Sequence, residues 1–391
     1  MKASTKMITI GIISLLVGIG GGIGIGYLIS PQSSETIDIR YGAQYYPGEF
    51  LLEGKPELFS NYGINVEHRL FVSGGENNAA LIAGEVDANC GSDSKTVALF
   101  DSIPDKALLI GTIQRGDRYS TIVKEDSSYT SWDDLVGETV GTKLGTGAEQ
   151  VLRRYFDEPG TPDWEDFTWI NLDVTEMASA LDSGQIEAFT AWEHTPSVAV
   201  DQGIGKVLMS YGGIALTPAS IHTTKDFAYS NPGAIVAFLA AHLDKYEMIV
   251  NDTANAAQLA SDAAAARNTI ISAGAFELIY DKINFQIDFD TEIIEAIDDT
   301  ADFLLNLGKI DSKPDIVWDT RFVEAAKDLQ KNFGTPATGL SAESYQIAID
   351  KIVDKHFGAT MNNPIVIGLI SGVFTLGMAV PVFVSIKRRN N

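Results

Sequence analysis

Apolar and polar positions alternate with a period of two in several short stretches of the chain: TIDIRYGA (36–43), INVEHRLFV (64–72), STIVKE (120–125), ETVGTKL (138–144) and DFTWINL (166–172). That period places successive side chains on opposite faces, so these stretches are predicted strands. Between them SWDDLVG (131–137) and EQVLRRYF (149–156) read as helices, and Thr130 with Asp133 suits a capping box at the start of the first. Strands alternating with helices predict parallel α/β sheets. Beyond residue 229 the period lengthens. NPGAIVAFLAAHLDKYEMIVND (231–252), ANAAQLASDAAAA (254–266) and TEIIEAIDDTADFLLNLG (291–308) are predicted amphipathic helices with few strands between them. FGTPATGLS (333–341) is a linker by composition, and the helix after it puts Tyr345, Ile349, Ile352 and His356 on one face. That helix is expected to serve as a stalk or a packing helix.

Part of the pattern is written twice. Residues 37–98 align with 137–198 without a gap, and identities fall at Glu49/Glu149, Leu52/Leu152, Glu76/Glu176, Ala80/Ala180, Leu81/Leu181, Gly84/Gly184 and Ala88/Ala188. So few identities barely exceed chance, but the local signals recur with them. Ser73 with Glu76, and Asp173 with Glu176, are N-cap and N3 pairs. Each predicted helix ends at a glycine, Gly84 or Gly184, suited to a left-handed cap. Each is followed by a strand start, EVDAN or QIEAF, and then by a polar segment, GSDS or AWEH. Two small α/β units with the same order of parts are expected. Ligands of open parallel sheets sit beyond the carboxyl ends of the strands, and helix N-termini pointing there favour anions.

The two ends read differently from the middle. Met7–Ile29 and Ile365–Ile386 are apolar, glycine-bearing runs, each long enough to span a bilayer core of about 30 Å. Lys2 and Lys6 lie outside the first, and Lys387, Arg388 and Arg389 outside the second, which orients both termini to the cytoplasm and the middle to the other side. The first run is longer than the apolar region of most cleaved signals, and an uncleaved anchor is expected. Residues 30–363 hold 23 basic and 52 acidic residues, a net charge of −29 that disfavours a nucleic-acid partner. Cys90 is the single cysteine, so no internal disulfide contributes to stability. A middle of this size predicts two lobes rather than one core.

Three segments carry a family resemblance. PELFSNYGINVEHRLFVSGGENNAALIAGEVDA, DLVGETVGTKLGTGAEQVLRRYF and ALDSGQIEAFTAWEHTPSVA, taken in order, resemble segments of extracytoplasmic solute-binding proteins. The branch they are most similar to binds aliphatic sulfonates, taurine, nitrate and thiamine-pyrimidine precursors, and the likeness covers roughly residues 36–330. It implies the type II periplasmic-binding-protein fold: two α/β lobes joined by two crossovers, closing on a small molecule delivered to an ABC permease driven by an ATPase. On that basis residues 1–35 are the N-terminal anchor, 36–124 and 215–332 lobe 1 with the C-terminal helices packed mainly on it, and 125–214 lobe 2. Residues 333–363 are then the linker and amphipathic helix, and 364–391 the second transmembrane helix and basic tail. The crossovers are expected near Ser120–Glu125 and Tyr211–Thr217. The chain departs from the branch at His194-Thr195-Pro196, where the branch often has proline directly after the acid, and in its second apolar run.

The resemblance and the strand ends together nominate Gln44, Tyr45, Ser73, Gly74, Ser92, Asp93, Thr146, Gly147, Trp192 and Glu193 as ligand-binding residues. Ser73–Gly74 and Thr146–Gly147 open helices, where N–H groups meet an oxyanion, and Trp192 offers a stacking face. Asp93 and Glu193 would repel an anion, and the matched loops contain no arginine; Arg115 and Arg118 follow the predicted strand at Leu109–Thr112 and are the nearby cations. If the two acids face the solute, a cationic or amine-bearing ligand such as taurine or an aminopyrimidine is preferred, and the sequence leaves both readings open. No catalytic residue, metal site or cofactor is expected: the five histidines are scattered, no Cys/His cluster forms, and H-E-x-x-H, G-x-S-x-G and phosphate-loop patterns are missing. The glycines of GIGGGIGIG suit helix packing in lipid better than dinucleotide binding. A ligand-binding receptor ectodomain working with a partner is the second functional class.

Overall fold

The two-residue periods form strands and the 3.6-residue periods form helices in a computed structural model that describes residues 37–333 and 342–358. Both apolar terminal runs, Met7–Ile29 and Ile365–Ile386, and most of the linker lie outside the described residues. Among the described residues no helix is long and apolar enough to cross a membrane. The expected terminal transmembrane helices therefore have no support within the described chain.

The first repeat runs β1 (Ile37–Ala43), α1 (Pro47–Gly54), α2 (Glu57–Ser60), β2 (Ile64–Leu70), α3 (Gly74–Ile82), β3 (Ala88–Ser92), α4 (Asp93–Ser102) and β4 (Ala107–Gly116). After β5 (Tyr119–Lys124) the second runs β6 (Thr139–Thr142), α5 (Gly147–Phe156), β7 (Thr168–Asn171), α6 (Val174–Asp182), β8 (Ala188–Trp192), α7 (Thr195–Asp201) and β9 (Gly205–Ser210). There follow β10 (Ala219–Thr224), α8 (Lys225–Ser230), α9 (Pro232–Asn251), α10 (Thr253–Ala266), α11 (Ala273–Lys282), β11 (Ile283–Asn284), α12 (Thr291–Asn306), α13 (Arg321–Phe333) and α14 (Ala342–Phe357). The bounds of α6 and β8 are those of α3 and β3 moved by one hundred residues.

The cap chemistry recurs as read. Ser73 Oγ accepts from the Glu76 N–H at 3.2 Å, and Asp173 and Glu176 close a reciprocal capping box. Gly84 and Gly184 end their helices at φ +72° and +73°, a conformation that costs glycine little. The box expected at Thr130 and Asp133 lies one residue on: Ser131 caps a short 3₁₀ turn and Asp134 returns the bond.

The strands assemble into two sheets, ordered β2-β1-β3-β10-β4-β11 and β7-β6-β8-β5-β9. In each sheet the repeat strands β1–β3 or β6–β8 run parallel. Each also holds an antiparallel strand from across the crossover inserted between two others, β10 between β3 and β4 and β5 between β8 and β9, and the short β11 pairs antiparallel with β4 at the edge of the first. The residues expected as the first crossover, Ser120–Glu125, thus lie almost wholly within β5. The chain passes between sheets at Asp117–Arg118 and returns over Tyr211–Pro218. The two crossings are bonded to each other: Gly116 N–H to the Leu216 carbonyl at 2.8 Å, Gly212 N–H to Asp117 Oδ1 at 3.0 Å, and Tyr211 N–H to the Tyr119 carbonyl at 3.1 Å.

One face of the first sheet packs Ile39, Tyr41, Ile110 and Ile221 against α9, α13 and α14. There Tyr345, Ile349 and Ile352 are buried, so α14 is a packing helix within this core. On the other face Leu109 of β4 packs with Leu81 of α3, Phe100 of α4, and Ile293 and Ile297 of α12. The second sheet is covered on one face by α5 and Trp132 and on the other by α6 and α7.

Candidate functional site

Five loops leave the carboxyl ends of β1, β2, β3, β6 and β8, and each predicted site residue stands on or beside one of them. Gln44 follows β1. With its amide oriented to suit its neighbours, it accepts from the Gly74 N–H at 3.0 Å and donates to the Cys90 carbonyl at 3.3 Å. Gly74 is buried beneath Lys95, and a Cβ there would lie 2.6 Å from Lys95 Cγ, so the close approach requires glycine. Ser92 Oγ meets Ser94 Oγ at 3.1 Å. Ser73 is exposed and caps α3. Gln44, Gly74 and the end of β3 therefore form one polar wall, contributed by the first sheet.

The second sheet contributes the other wall. Thr146 caps α5: its hydroxyl donates to the Lys143 carbonyl at 2.6 Å and accepts from the Ala148 N–H at 3.2 Å. Gly147 packs on Tyr119, whose Oη would stand 2.2 Å from a Cβ at that position. Trp192 lies opposite Tyr119 in the β5–β8 ladder and is half-buried. Arg118 stands between the walls. Its guanidinium carbon is 5.5 Å from the Tyr46 ring centroid and 5.4 Å from that of Tyr119, and Nη1 donates to the Thr217 carbonyl at 2.6 Å. One guanidinium thus touches a loop of the first sheet, a strand of the second and the return crossover.

The two acids behave alike. The Asp93 N–H donates to the Pro218 carbonyl at 2.9 Å and the Glu193 N–H to the Arg118 carbonyl at 2.8 Å, the donor standing one hundred residues later in the second bond and the acceptor one hundred earlier. Both residues are 2% exposed, and both side chains are partnered within the chain. Asp93 accepts from the Ser94 N–H at 2.8 Å and from Thr300 Oγ1 at 2.9 Å; Thr300 Oγ1 also accepts from Gln150 Nε2 at 3.0 Å. Glu193 is ion-paired with Lys282 and accepts from the Ser197 N–H at 3.2 Å. Burial raises the pKa of both carboxyls, opposed by Arg118 at Asp93 and by Lys282 at Glu193. Tyr45 also turns from the polar walls: its ring packs on Phe50, and its main chain meets His194, whose pKa burial lowers to about 4. The Glu193–His194 peptide is cis.

Gln44 and Gly74 therefore meet on one side and Gly147 and Trp192 flank Tyr119 on the other, while Asp93, Glu193 and Tyr45 turn toward α12, α11 and α1. Sequence reading missed Tyr46, Lys95 and Tyr119 and gave Arg118 only a secondary place. Tyr46 and Tyr119 were legible as aromatic residues flanking nominated or cationic positions; nothing local marks Lys95. Among the described residues no group of His, Cys, Asp and Glu could hold a metal ion. A depression of about 620 Å³ between α9, α10 and α11, bordered by Ile249, Thr253, Glu277 and Tyr280, contains none of the nominated residues.

The comparisons with known proteins agree with this architecture. The family model described as NMT1/THI5 like matches residues 50–256. A Bacillus subtilis (strain 168) protein described as binding aliphatic sulfonates is 24% identical over 348 residues, 84% of this chain and 98% of that protein. YtlA of the same organism, described as a binding protein, is 23% identical over 171 residues; the match takes in 43% of this chain and about half, 51%, of YtlA. Among solved structures, the periplasmic aliphatic sulphonate binding protein SsuA from Escherichia coli superposes with a TM-score of 0.62 at 19% identity, covering 71% of this chain and 89% of that one. The two-sheet α/β fold of periplasmic binding proteins is thereby established for the described chain.

Proposed function

The chain belongs to the NMT1/THI5-like family, and from that premise we propose that it is the solute-binding component of an ABC importer. The observation that carries this reading is the pair of hydrogen-bonded crossovers beneath two opposed polar walls. Such a junction lets one lobe swing against the other about a few residues and enclose a small molecule. In this reading residues 37–116 and 219–333 form one lobe and 119–210 the other. Gln44, Ser73, Gly74, Ser92, Thr146, Gly147 and Trp192 line the space between them. Asp93, Glu193 and Tyr45 hold the lobes together from its edges.

The solute class proposed is a small sulfonate-like molecule such as an alkanesulfonate, taurine or nitrate, in keeping with what the similar proteins are named for. The resemblance of the three sequence segments keeps a thiamine-pyrimidine precursor as the second solute. The apolar terminal runs support a membrane-anchored protein whose main domain is extracytoplasmic, with a permease and an ATPase as partners. Thermal unfolding of the full chain in mild detergent, with alkanesulfonates, taurine, nitrate and aminopyrimidines at millimolar concentration, tests the reading. Binding to the native state raises the midpoint by mass action. At least one solute is expected to do so, and Trp192→Ala to weaken its binding at least tenfold with an unchanged midpoint in its absence. A flat response to every solute contradicts the proposal.

A further inference from the structure

Eight arginines lie in the described residues, and seven of them, Arg40, Arg69, Arg115, Arg153, Arg154, Arg267 and Arg321, have a carboxylate oxygen within 4.0 Å. Their side chains are 12–40% exposed. The eighth, Arg118, is only 3% exposed and, among the described residues, has no such partner. This inverts the usual logic, since a charge in water needs no counter-ion and a buried one costs several kcal/mol without it. Asp93 is close enough for its charge to be felt, but its oxygens are bonded to Ser94 and Thr300. Glu193, reached through the Arg118 carbonyl, is held by Lys282. The ring faces of Tyr46 and Tyr119 and the Thr217 carbonyl solvate the guanidinium only in part, because a guanidinium has five N–H donors in a fixed fork.

A buried, unpaired, geometrically fixed guanidinium between two lobes is arranged for a counter-ion from outside the chain. We propose that Arg118 is the charge-recognising residue of the solute site and that the solute is a small oxyanion, a sulfonate, carboxylate or nitrate group, rather than an uncharged or amine-only pyrimidine. The inference rests on the solute-binding reading above and narrows it. Such groups accept two parallel N–H bonds from one guanidinium, which a lysine does not reproduce. The two acids that made an anion improbable from sequence are turned to partners of their own, Glu193 to the Lys282 ammonium and Asp93 to the Ser94 N–H and the Thr300 hydroxyl, which lessens the repulsion. The ten-residue helix α5, beginning at Gly147 against Tyr119, adds its N-terminal field on the same side.

The test uses the full chain in mild detergent, with ethanesulfonate, butanesulfonate, nitrate and acetate as oxyanion probes and 4-aminopyrimidine and ethanolamine as controls. Calorimetry reads affinity, and thermal unfolding without solute reads stability. Wild type is expected to prefer one of the oxyanions. Arg118→Met should lose at least thirtyfold in affinity for it, and Arg118→Lys an intermediate amount. The midpoint of Arg118→Met without solute should be equal or higher, because removing an uncompensated buried charge relieves the apo protein. An arginine with a merely structural role gives the opposite pair of results, a lowered midpoint and retained affinity. If Arg118→Met does not fold, Arg118→Lys decides: undiminished oxyanion affinity in it overturns the bidentate role. Tight binding of 4-aminopyrimidine or ethanolamine in preference to every oxyanion overturns this inference while leaving solute binding intact. No binding of any probe overturns the earlier reading, and this one with it.

Discussion

Asn89 and Phe189 occupy the same place in two copies of one supersecondary unit, and so do Asn77 and Met177, Asn78 and Ala178, and His222 and Ile122, since β10 also stands one hundred residues after β5. In the first copy these positions form a buried hydrogen-bonded network. His222 Nδ1 meets Asn89 Oδ1 at 3.0 Å and its Nε2 meets Thr96 Oγ1 at 2.8 Å; Asn89 donates to Asn78 Oδ1 at 3.1 Å, and Asn78 to the Lys95 carbonyl at 2.8 Å. Asn77 bridges the Gly42 and Cys90 carbonyls at 2.9 Å each, joining β1 to β3. In the second copy Ile122, Met177 and Phe189 form an apolar cluster with Leu181 and Ile186. One backbone plan accepts either chemistry. The polar version admits one arrangement of partners, and through the Lys95 carbonyl it is tied to α4; the apolar version only fills space.

The shared glutamate shows the same contrast. Glu149 accepts from the Gly145 N–H at 2.7 Å and from Arg153 at 3.2 Å, at the edge of solvent. Glu49 is 2% exposed and faces Lys245 at 3.9 Å and His242 at 4.0 Å, both fully buried on α9, a helix with no counterpart in the second copy. Burial raises the Glu49 pKa and lowers that of Lys245, each opposed by the other's charge.

The comparison is broken most severely at that pair. Lys245→Met should destabilise the protein by about 3–5 kcal/mol, because it strands a buried carboxylate, whereas Glu49→Leu with Lys245→Met should restore wild-type stability or exceed it in chemical denaturation. A smaller effect is expected at Gly42, where an added Cβ would stand 2.0 Å from Asn77 Oδ1; the second copy carries Thr142 and Met177 at the matching places. Gly42→Ala should cost about 1–3 kcal/mol, and far less once Asn77 is also alanine, as a double-mutant cycle would record.

Acid should act mainly on the first sheet and its helices, which hold three of the four histidines whose pKa burial lowers, the fourth being His194 in the second copy. Burial lowers the pKa of His222 to about 3 and of His68 to about 4, and that of His242 well below the ordinary value. The unfolded histidines take up protons near pH 6.5 and the folded ones do not, so the stability present above pH 6.5 is lost as pH falls toward 4. The slope is about 1.4 kcal/mol per pH unit for each histidine. Replacing His222 by its counterpart, His222→Ile, should remove one such increment from the pH profile, and an unchanged slope would refute the assignment. The smallest effect is expected at Arg40, which grips Asp87 and the Gly84 carbonyl while the second copy has Val140 and Glu187. Arg40→Val should cost no more than about 1 kcal/mol at low salt and less at high salt.

Much of the repeat was legible because its signals are local. A capping pair such as Ser73 and Glu76, a helix-ending glycine such as Gly84 and the two-residue period of INVEHRL each depend on a few neighbouring residues. The capping boxes near residue 130 slipped by one position because Thr130, Ser131, Asp133 and Asp134 all carry suitable side chains, and only the bend of the chain selects among them. The polar walls were legible as loops after strands, but the direction of the acids was not. Asp93 finds Thr300 across 207 residues, and no local pattern marks that threonine.

Taken alone, the sequence determined the type and approximate bounds of the most periodic elements, the hundred-residue repeat and the family, because periodicity, capping and turn formation are short-range properties of the chain. The tertiary structure decided that β5 and β10 exchange sheets, that Asp93 is hydrogen-bonded by α12 and Glu193 ion-paired by α11, and that Arg118 is buried with no carboxylate oxygen within 4.0 Å among the described residues. Strand partners and counter-ions come from residues far apart in the chain. A free strand edge or a charged side chain carries no record of which distant group will reach it until the whole has folded.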